Sequence, residues 1–438
     1  QKTEQVETSV EEEGVLEEAT PIVEADSAQA ARAQSRLGEF GYSATLPSAT
    51  QNTTTIENDV LELKVDNKGG YISEARIKGF KTFDSIPVHL IRDGNSSFNI
   101  SFSTTDGRRL NSKDLYFEPS VTQNGENTVL SMKLKVSPTE YLEYRYVLKP
   151  DDYMLDFSIR SQGLNDVFNA SEDMSLQWDL KGYRHAKSIS YENRYTEIVF
   201  EYDGDSDDYT GHGDRAEEEE NDISYVAYKQ HFFTSILLTD DPFKTGKFVS
   251  ENLVQDEEVD TVYTKAFTST FPLELKGGEL SYDMNWYFGP SDFTILDSYD
   301  RNLDEIMPLG WGIFGWINQY IFIPVFSFLS GVLPSYGIAI IVMTILVRIV
   351  LSPVTYKSYL SQAKMKVLRP EINELNEKYK DNPMKKQQET MKLYSKAGAS
   401  PMSGCLPALM QIPVFYALFQ FFPSAFELRQ KGFLWADD

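Results

Sequence analysis

The chain has 438 residues, 41% hydrophobic and 24% charged, which allows two or three folded domains. Its 66 acidic residues outnumber 41 basic ones, and residues 301–438 carry 14 Lys and Arg against 10 Asp and Glu, so the acidic excess lies entirely in residues 1–300. That half would repel nucleic-acid phosphates, which argues against DNA as a partner, and the single Cys405 excludes an intrachain disulfide.

The first segment, residues 1–55, is acidic and rich in Ser, Thr and Ala, with few aromatic side chains. Such a composition cannot bury enough apolar surface to offset the loss of chain entropy. We therefore predict a disordered acidic tether, with an acidic binding tail as the alternative. No signal peptide or N-terminal anchor is visible, and we expect one to precede this sequence.

Residues 56–291 are typical of an antiparallel β-domain. The stretch "IENDVLELKVDNKGGYISEARIKGF" has short alternating runs about an Asn-Lys-Gly-Gly turn, and "YLEYRYVLKPDDYMLDFSIRS" has two alternating runs about Pro-Asp-Asp. Later runs such as "YVAYKQHFFTSILL" are rich in aromatic and β-branched residues and are also predicted strands. Many short strands with regular turns predict one large two-sheet sandwich.

A short helical connector is predicted over residues 292–310, and two apolar segments follow. The segment 311–335 mixes Trp and Tyr with Asn, Gln and Ser, which favours a helix lying in the membrane interface. The segment 336–353 is long enough to cross the bilayer. The next loop, residues 354–401, carries ten Lys and Arg and five Asp and Glu, so the positive-inside rule places it in the cytoplasm and the acidic half outside.

Within the loop, apolar residues spaced three and four apart predict two short antiparallel helices that break at Asp381-Asn382-Pro383. This basic hairpin would contact ribosomal RNA or anionic lipid, or would be a solvated face that enforces topology. A second crossing is predicted over residues 402–426. Residues 427–438 would then begin the next external segment, and we expect further spans to follow.

Arg348 lies in the first crossing, about 6 Å from its cytoplasmic end at 1.5 Å per residue. Its guanidinium either snorkels to the headgroups or faces a water-accessible concavity. Thr344 lies one turn earlier on the same face, although Thr also bonds its own helix backbone. Gln411, at a similar depth in the second crossing, is a candidate for the same polar stripe or for an interhelical hydrogen bond.

Three rival functions were weighed. An enzyme in the β-domain would need a histidine beside a carboxylate, and none of the four histidines stands out. His212 falls in an acidic loop and His231 inside a predicted strand. The Asp-x-Asp-x-Asp spacing at residues 203–207 lacks the glycine and the closing glutamate of a calcium loop. A transporter would need further intramembrane carboxylates, and neither crossing contains one.

Several segments together resemble the YidC membrane-protein insertases: "GWGIFGWINQYIFIPVF", "SYGIAIIVMTILVRIVLSPVTYKSYLSQAKM", "GCLPALMQIPVFYALF" and "FELRQKGFLW". The resemblance covers residues 301–438 nearly continuously. Upstream, "YVAYKQHFFTSIL" and "WYFGP" resemble the end of the large periplasmic domain of Gram-negative members, and the resemblance fades in residues 1–200.

The resemblance implies a β-supersandwich in the periplasm followed by a helical transmembrane insertase core in the inner membrane, with a cytoplasmic hairpin. It implies a non-enzymatic protein without cofactor or metal that inserts and helps fold new membrane proteins, alone or with the Sec translocon. A hydrophilic groove would hold Arg348, with Thr344 and Gln411 lining it.

The family also implies contacts of the hairpin with the ribosome and targeting machinery, for which the candidate residues are Lys364, Lys366, Arg369, Lys385 and Lys386. The alternative reading of the β-domain, from the likeness of such sandwiches to mutarotase folds, is a membrane-anchored carbohydrate-binding or mutarotase-like enzyme.

Overall fold

A computed structural model describes residues 27–204, 206–398 and 406–435. The first described element is helix α1 (Ser27–Leu37), followed by a 3₁₀ turn (Gly38–Thr45). The turn buries Phe40 completely, with its ring 5.1 Å from that of Phe102. The predicted disordered tether is therefore wrong for residues 27–45, because a run rich in Ala and Gln favours helix and one aromatic residue anchors it to the core. Residues 1–26 of that tether lie outside the described residues.

Four strands form a small antiparallel sheet in the order β1-β2-β3-β4. They are β1 (Thr53–Glu57), β2 (Leu61–Asp66), β3 (Ile72–Lys81) and β4 (Pro87–Ile91). Buried and half-buried residues alternate strictly along β2, as its sequence predicts. The turn into β3 needs Gly69 and Gly70, whose φ angles are 91° and 68°.

Thirteen strands form a second sheet, in which all pairings are antiparallel. They are β5 (Ser96–Ser103), β6 (Arg109–Asn111), β7 (Glu118–Asn124), β8 (Asn127–Lys135), β9 (Tyr141–Leu148), β10 (Met154–Gln162), β11 (Met174–Tyr183), β12 (Glu197–Tyr202), β13 (Ser206–Thr210), β14 (Arg215–Lys229), β15 (Phe233–Asn252), β16 (Tyr263–Leu273) and β17 (Ser281–Pro290). The order β6-β5-β11-β16-β15-β17-β10-β9-β8-β7 places β7 at an edge, and β12 to β14 extend from β15. Helix α2 (Ile189–Tyr195) joins β11 to β12.

The predicted antiparallel sandwich is thus confirmed, and its core is unusually aromatic. Trp178 stacks on Tyr228 with ring centroids 3.8 Å apart, and the Tyr228 hydroxyl donates to the Trp178 carbonyl at 2.8 Å. Both side chains are buried, so the hydroxyl satisfies its hydrogen-bonding capacity inside the core.

The connector after the sandwich contains helix α3 (Phe293–Asp297) and a 3₁₀ turn (Leu303–Ile306). Asp292 begins α3 by accepting from the Ile295 amide at 3.1 Å. Buried Leu296, Leu303 and Ile306 share a second apolar cluster with residues of β12, β14 and β15. The connector therefore packs against the sheet.

The remaining described chain is helical. The elements are α4 (Ile313–Ile317), a π-helical turn (Asn318–Phe322), α5 (Ile323–Val332), α6 (Tyr336–Val367), α7 (Arg369–Lys378), α8 (Pro383–Lys396) and α9 (Leu406–Ser424), then a 3₁₀ turn (Phe426–Leu428). By length and composition, the stretches 313–332 and 336–367 are long and apolar enough to cross a membrane. A third apolar cluster, including Phe326, Met343 and Phe421, joins α5, α6 and α9.

Two predicted boundaries differ from the structure. The crossing predicted to end at residue 353 is part of one helix that continues to Val367, since Pro353 lies inside α6 without ending it. The second predicted crossing begins as helix at Leu406, and residues 402–405 lie outside the described part of the chain.

Asn318, whose polarity favoured a helix in the membrane interface, is fully buried instead. Its Nδ2 donates to the Leu309 carbonyl at 2.7 Å and to the Ala417 carbonyl at 2.9 Å. The side chain therefore ties the π-helical turn to α9, and it gives no support to an interfacial position.

Candidate functional site

Arg348 lies on α6 with its side chain exposed, in a helix whose neighbouring residues are almost all apolar. It lines an open cavity of about 660 Å³ between α6 and α9. The wall on α6 is formed by Arg348, Leu351, Ser352, Val354, Thr355, Tyr356, Tyr359 and Gln362, and that on α9 by Met410 and Gln411. The described α6 wall therefore mixes apolar and polar side chains and carries one cation.

Gln411 and Arg348 line the same cavity, although 63 positions separate them in the sequence. Thr344 does not line it: its hydroxyl donates to the Ile340 carbonyl at 2.8 Å within α6, and the side chain is exposed. This back-bond satisfies the only donor of the side chain, so the predicted polar stripe does not extend to Thr344.

The charge of Arg348 is not neutralised inside the described part of the chain. No carboxylate there forms an ion pair with it, and both walls of the cavity lack Asp and Glu. A cation exposed in an open, partly apolar concavity attracts an anionic group of an incoming molecule more strongly than one in bulk water.

Pro353 adds a backbone acceptor close to Arg348. A proline has no amide hydrogen, so the carbonyl of Ile349, four residues earlier in α6, receives no helical hydrogen bond from it. The missing hydrogen bond near Arg348 could have been predicted from the sequence, because Pro353 follows Arg348 by five residues.

The five predicted hairpin residues lie where α6, α7 and α8 follow one another. Lys364 and Lys366 are in the last turn of α6, Arg369 begins α7, and Lys385 and Lys386 are in the first turn of α8. Asn382 caps α8 by accepting from the Lys385 amide at 3.1 Å. All but the half-buried Lys386 are exposed, and the ion pair that the structure describes in the hairpin is Lys392–Glu389 instead.

The β-domain and the helices meet at the end of α9. His231 lies in the turn between β14 and β15, not inside a strand as predicted, and its Nε2 is 2.8 Å from the Pro423 carbonyl. The residues before and after it favour strand, but the reversal into β15 needs an unpaired turn at this position. Burial lowers the pKa of His231, so the ring is neutral and donates to the carbonyl.

An aromatic cluster surrounds this contact. The Phe426 ring lies 5.2 Å from that of Phe80, 5.5 Å from Phe233 and 6.2 Å from Phe232, all edge to face. Sequence reasoning missed this interface, because nearly 200 residues separate its two sides. The apolar Phe-x-x-Ser-x-Phe pattern at 421–426 gave no sign of a partner outside the membrane.

Two histidine–carboxylate pairs emerge that the sequence did not reveal. In the first, His89 Nε2 is 3.3 Å from Glu74 Oε1 and both side chains are partly exposed. In the second, His185 Nδ1 is 3.5 Å from Glu192 Oε1, and both side chains are almost fully buried. Burial opposes ionisation of Glu192, but His185 and two backbone amides, at 2.7 and 2.8 Å, lower its pKa. The carboxylate therefore anchors the loop before α2.

The acidic motif at 203–207 falls partly outside the described residues, since residue 205 is not described. Within the described ranges, no group of three or more His, Cys, Asp or Glu side chains is arranged to hold a metal ion.

Two family models match the chain. The YidC periplasmic domain matches residues 53–324, and the model described as 60Kd inner membrane protein matches residues 328–438. Among curated relatives, the membrane protein insertase YidC of Parabacteroides distasonis is 40% identical over 425 residues, covering 94% of this chain and 66% of the relative. That of Phocaeicola vulgatus is 37% identical over 433 residues, covering 96% of this chain and 69% of the relative.

Solved structures match more distantly. An active YidC insertase with its first transmembrane domain resolved is 17% identical, over 89% of this chain and 76% of that one, with a TM-score of 0.32. A putative aldose 1-epimerase of Escherichia coli is 10% identical, over 54% of this chain and 98% of that one, with a TM-score of 0.34. Scores this low carry no argument about function.

The chain spans about two thirds of the length of the curated relatives it matches. The periplasmic-domain model alone covers more than half of the chain, and the relatives align with nearly all of it. The resemblance drawn from the sequence is confirmed: this chain belongs to the YidC family.

Proposed function

We propose that the protein is a membrane protein insertase of the YidC type, working as a chaperone for newly made integral membrane proteins. The observation that carries the proposal is Arg348, which pairs with no carboxylate of the described residues and lines a cavity of about 660 Å³ beside apolar helix surface. No bond is made or broken in this function, and it needs no cofactor.

The cavity would receive the polar segment of a nascent chain while the apolar segment moves into lipid. An unpaired acidic group in hydrocarbon costs several kcal/mol, and translocon scales place about 2.5–3.5 kcal/mol on a single charged residue at the membrane centre. Attraction to Arg348 offsets part of this cost, with Gln411 supplying hydrogen bonds on the opposite wall. When the nascent chain leaves the cavity, Arg348 is chemically unchanged and can attract the next one.

The distribution of charge supports an orientation of the chain in the inner membrane. The basic loop 354–401 would lie in the cytoplasm and the acidic β-domain in the periplasm. Helix α6 would cross, α9 would return, and 311–335 would lie in the outer interface, where exposed Trp311, Trp316 and Tyr320 suit the headgroup region. The exposed lysines and arginines of the hairpin would meet the ribosome and targeting machinery, and the β-domain the Sec translocon.

The test places a photo-crosslinking residue in the full-length protein, in membranes supplied with ribosomes stalled on a single-span protein. Position 356 is in the cavity wall, and position 350, on another face of α6, is the matched control because its side chain is 74% exposed outside the cavity. We expect crosslinks from position 356 to the polar segment of the nascent chain, lost in Arg348→Ala and kept in Arg348→Lys, and none from position 350 to that segment.

Equal crosslinking of the polar segment from both positions would refute the cavity as the insertion route. So would crosslinks that Arg348→Ala leaves unchanged in a protein shown to be folded, since the arginine would then serve only to reach the headgroups.

A further inference from the structure

The tip of the β3–β4 hairpin, residues 82–86, exposes two large apolar side chains at the edge of the β-domain. Phe83 is 43% and Ile86 42% exposed. The tip is a tight turn, because the Thr82 amide donates to the Ile86 carbonyl at 2.8 Å and Ser85 adopts a φ of 66°. Both side chains are therefore held outward by a fixed backbone.

A cation is fixed beside this tip. The Arg184 guanidinium lies 4.3 Å from the centre of the Phe83 ring. It donates to the carbonyls of Ala186, Thr261 and Lys187 at 3.0, 3.3 and 2.6 Å, which leaves two N–H groups and the whole charge for an anion. The Phe83 amide donates to the His185 carbonyl at 3.0 Å, which joins the tip to the loop that carries the arginine. Val262, 49% exposed, lines the same shallow cavity of about 150 Å³. The surface thus combines apolar side chains with Arg184, and the one carboxylate among the described residues that line it, Asp84, accepts from the Thr82 hydroxyl.

The tip is held at the level where a membrane helix ends. Gln430, six positions after the last residue of α9, donates from Nε2 to the Lys81 carbonyl at 2.9 Å and to the Thr82 carbonyl at 3.0 Å. Arg429 also donates to the Lys81 carbonyl. These bonds join the base of the hairpin to the segment that follows α9, and the Phe80 ring of β3 lies 5.2 Å from that of Phe426, two residues after α9. The exposed tip therefore lies close to the plane at which α9 would leave the bilayer.

We propose that the β3–β4 tip docks on the bilayer surface beside α9, with Phe83, Ile86 and Val262 at the boundary of headgroups and acyl chains and Arg184 paired with an anionic phospholipid headgroup. The occupant is lipid because the tip is hydrogen-bonded to the segment that follows α9 and combines apolar side chains with a cation, as interfacial anchors do. The proposal rests on the placement of α9 in the membrane given above.

The experiment uses the full-length protein with Cys405→Ser in nanodiscs of phosphatidylethanolamine and phosphatidylglycerol. A fluorophore is attached to single cysteines introduced by Ile86→Cys, by Phe419→Cys on the exposed face of α9, or by Val121→Cys on edge strand β7, where the valine is 49% exposed. Lipids carrying a nitroxide close to the headgroup then quench fluorophores that touch the bilayer.

We expect the nitroxide lipid to lower emission from positions 86 and 419 at least about twofold and to leave position 121 unchanged. Adding Phe83→Ser, which replaces an exposed side chain, should weaken quenching at position 86, as should replacing phosphatidylglycerol by phosphatidylcholine. Quenching at position 419 without quenching at position 86 would overturn the docking of the tip but not the placement of α9. If position 86 is shielded only when another protein is added, the tip binds protein instead of lipid, which would also overturn the docking. Absence of quenching at both positions overturns the placement of α9 as well.

Discussion

Phe426→Ala should loosen the β-domain from the helices without unfolding either part. The ring makes three edge-to-face contacts, with Phe80, Phe232 and Phe233, and all three partners belong to the β-domain. Each such pair contributes about 0.5–1.5 kcal/mol beyond burial, so losing three costs roughly 1.5–4.5 kcal/mol. That free energy corresponds to a shift of roughly tenfold to a thousandfold in the docking equilibrium.

Hydrogen exchange on the full-length protein in nanodiscs measures this shift peptide by peptide. We expect faster exchange in the β3–β4 hairpin and in residues 426–435, while β8 to β10 keep their protection because no ring of those strands touches Phe426. Phe415→Ala is the matched control, since Phe415 lies on α9, the helix that precedes Phe426, and is 58% exposed. Equal exchange in both variants, or a rise spread evenly over the β-domain, would refute the reasoning.

Three further outcomes are expected from buried polar groups. Burial lowers the pKa of His231, so near and below the ordinary histidine pKa the undocked state binds more protons than the docked state. Docking should therefore weaken as the pH falls from 7 to 5.5. His231→Gln should remove that dependence in a thermal-unfolding series. Asn318→Leu removes two buried hydrogen bonds and should cost roughly 1–3 kcal/mol in detergent unfolding, whereas Gln319→Leu should not; equal midpoints would contradict the interhelical role. Burial lowers the pKa of Lys265 to about 8, so between 8 and its ordinary 10.5 the unfolded chain binds more protons and stability should rise with pH; a rise that persists in Lys265→Met would count against this.

The β-domain was predictable because its signals are local. Alternation along β2 and β3, with glycines at the turn between them, indicates a hairpin from about twenty residues of sequence. Helix α1 was missed because composition averaged over residues 1–55 hides a short Ala-rich run and the single anchoring Phe40.

The site was predictable in part for a related reason. Arg348 and Gln411 lie at similar depths in two apolar segments, which was enough to predict that they face the same space. In the structure both line one cavity. Helical position also placed Thr344 beside Arg348, but a hydroxyl has a backbone acceptor within its own helix and does not need the cavity. The contact between His231 and Pro423 depends on how two domains meet, which neither local periodicity nor composition encodes.

Pro353 removes one backbone hydrogen bond of α6 where the helix lines the cavity, so the helix bends most easily at this point. Residues on both sides of the proline, Arg348 before it and Gln362 after it, line the same space. Gln362 is nine residues beyond Pro353, or about 13.5 Å along the axis, so a change of about 10° in the bend would move it by roughly 2 Å. A force applied to the cytoplasmic end of α6 would therefore widen or narrow the cavity beside Arg348, because no loop separates the two parts of the helix.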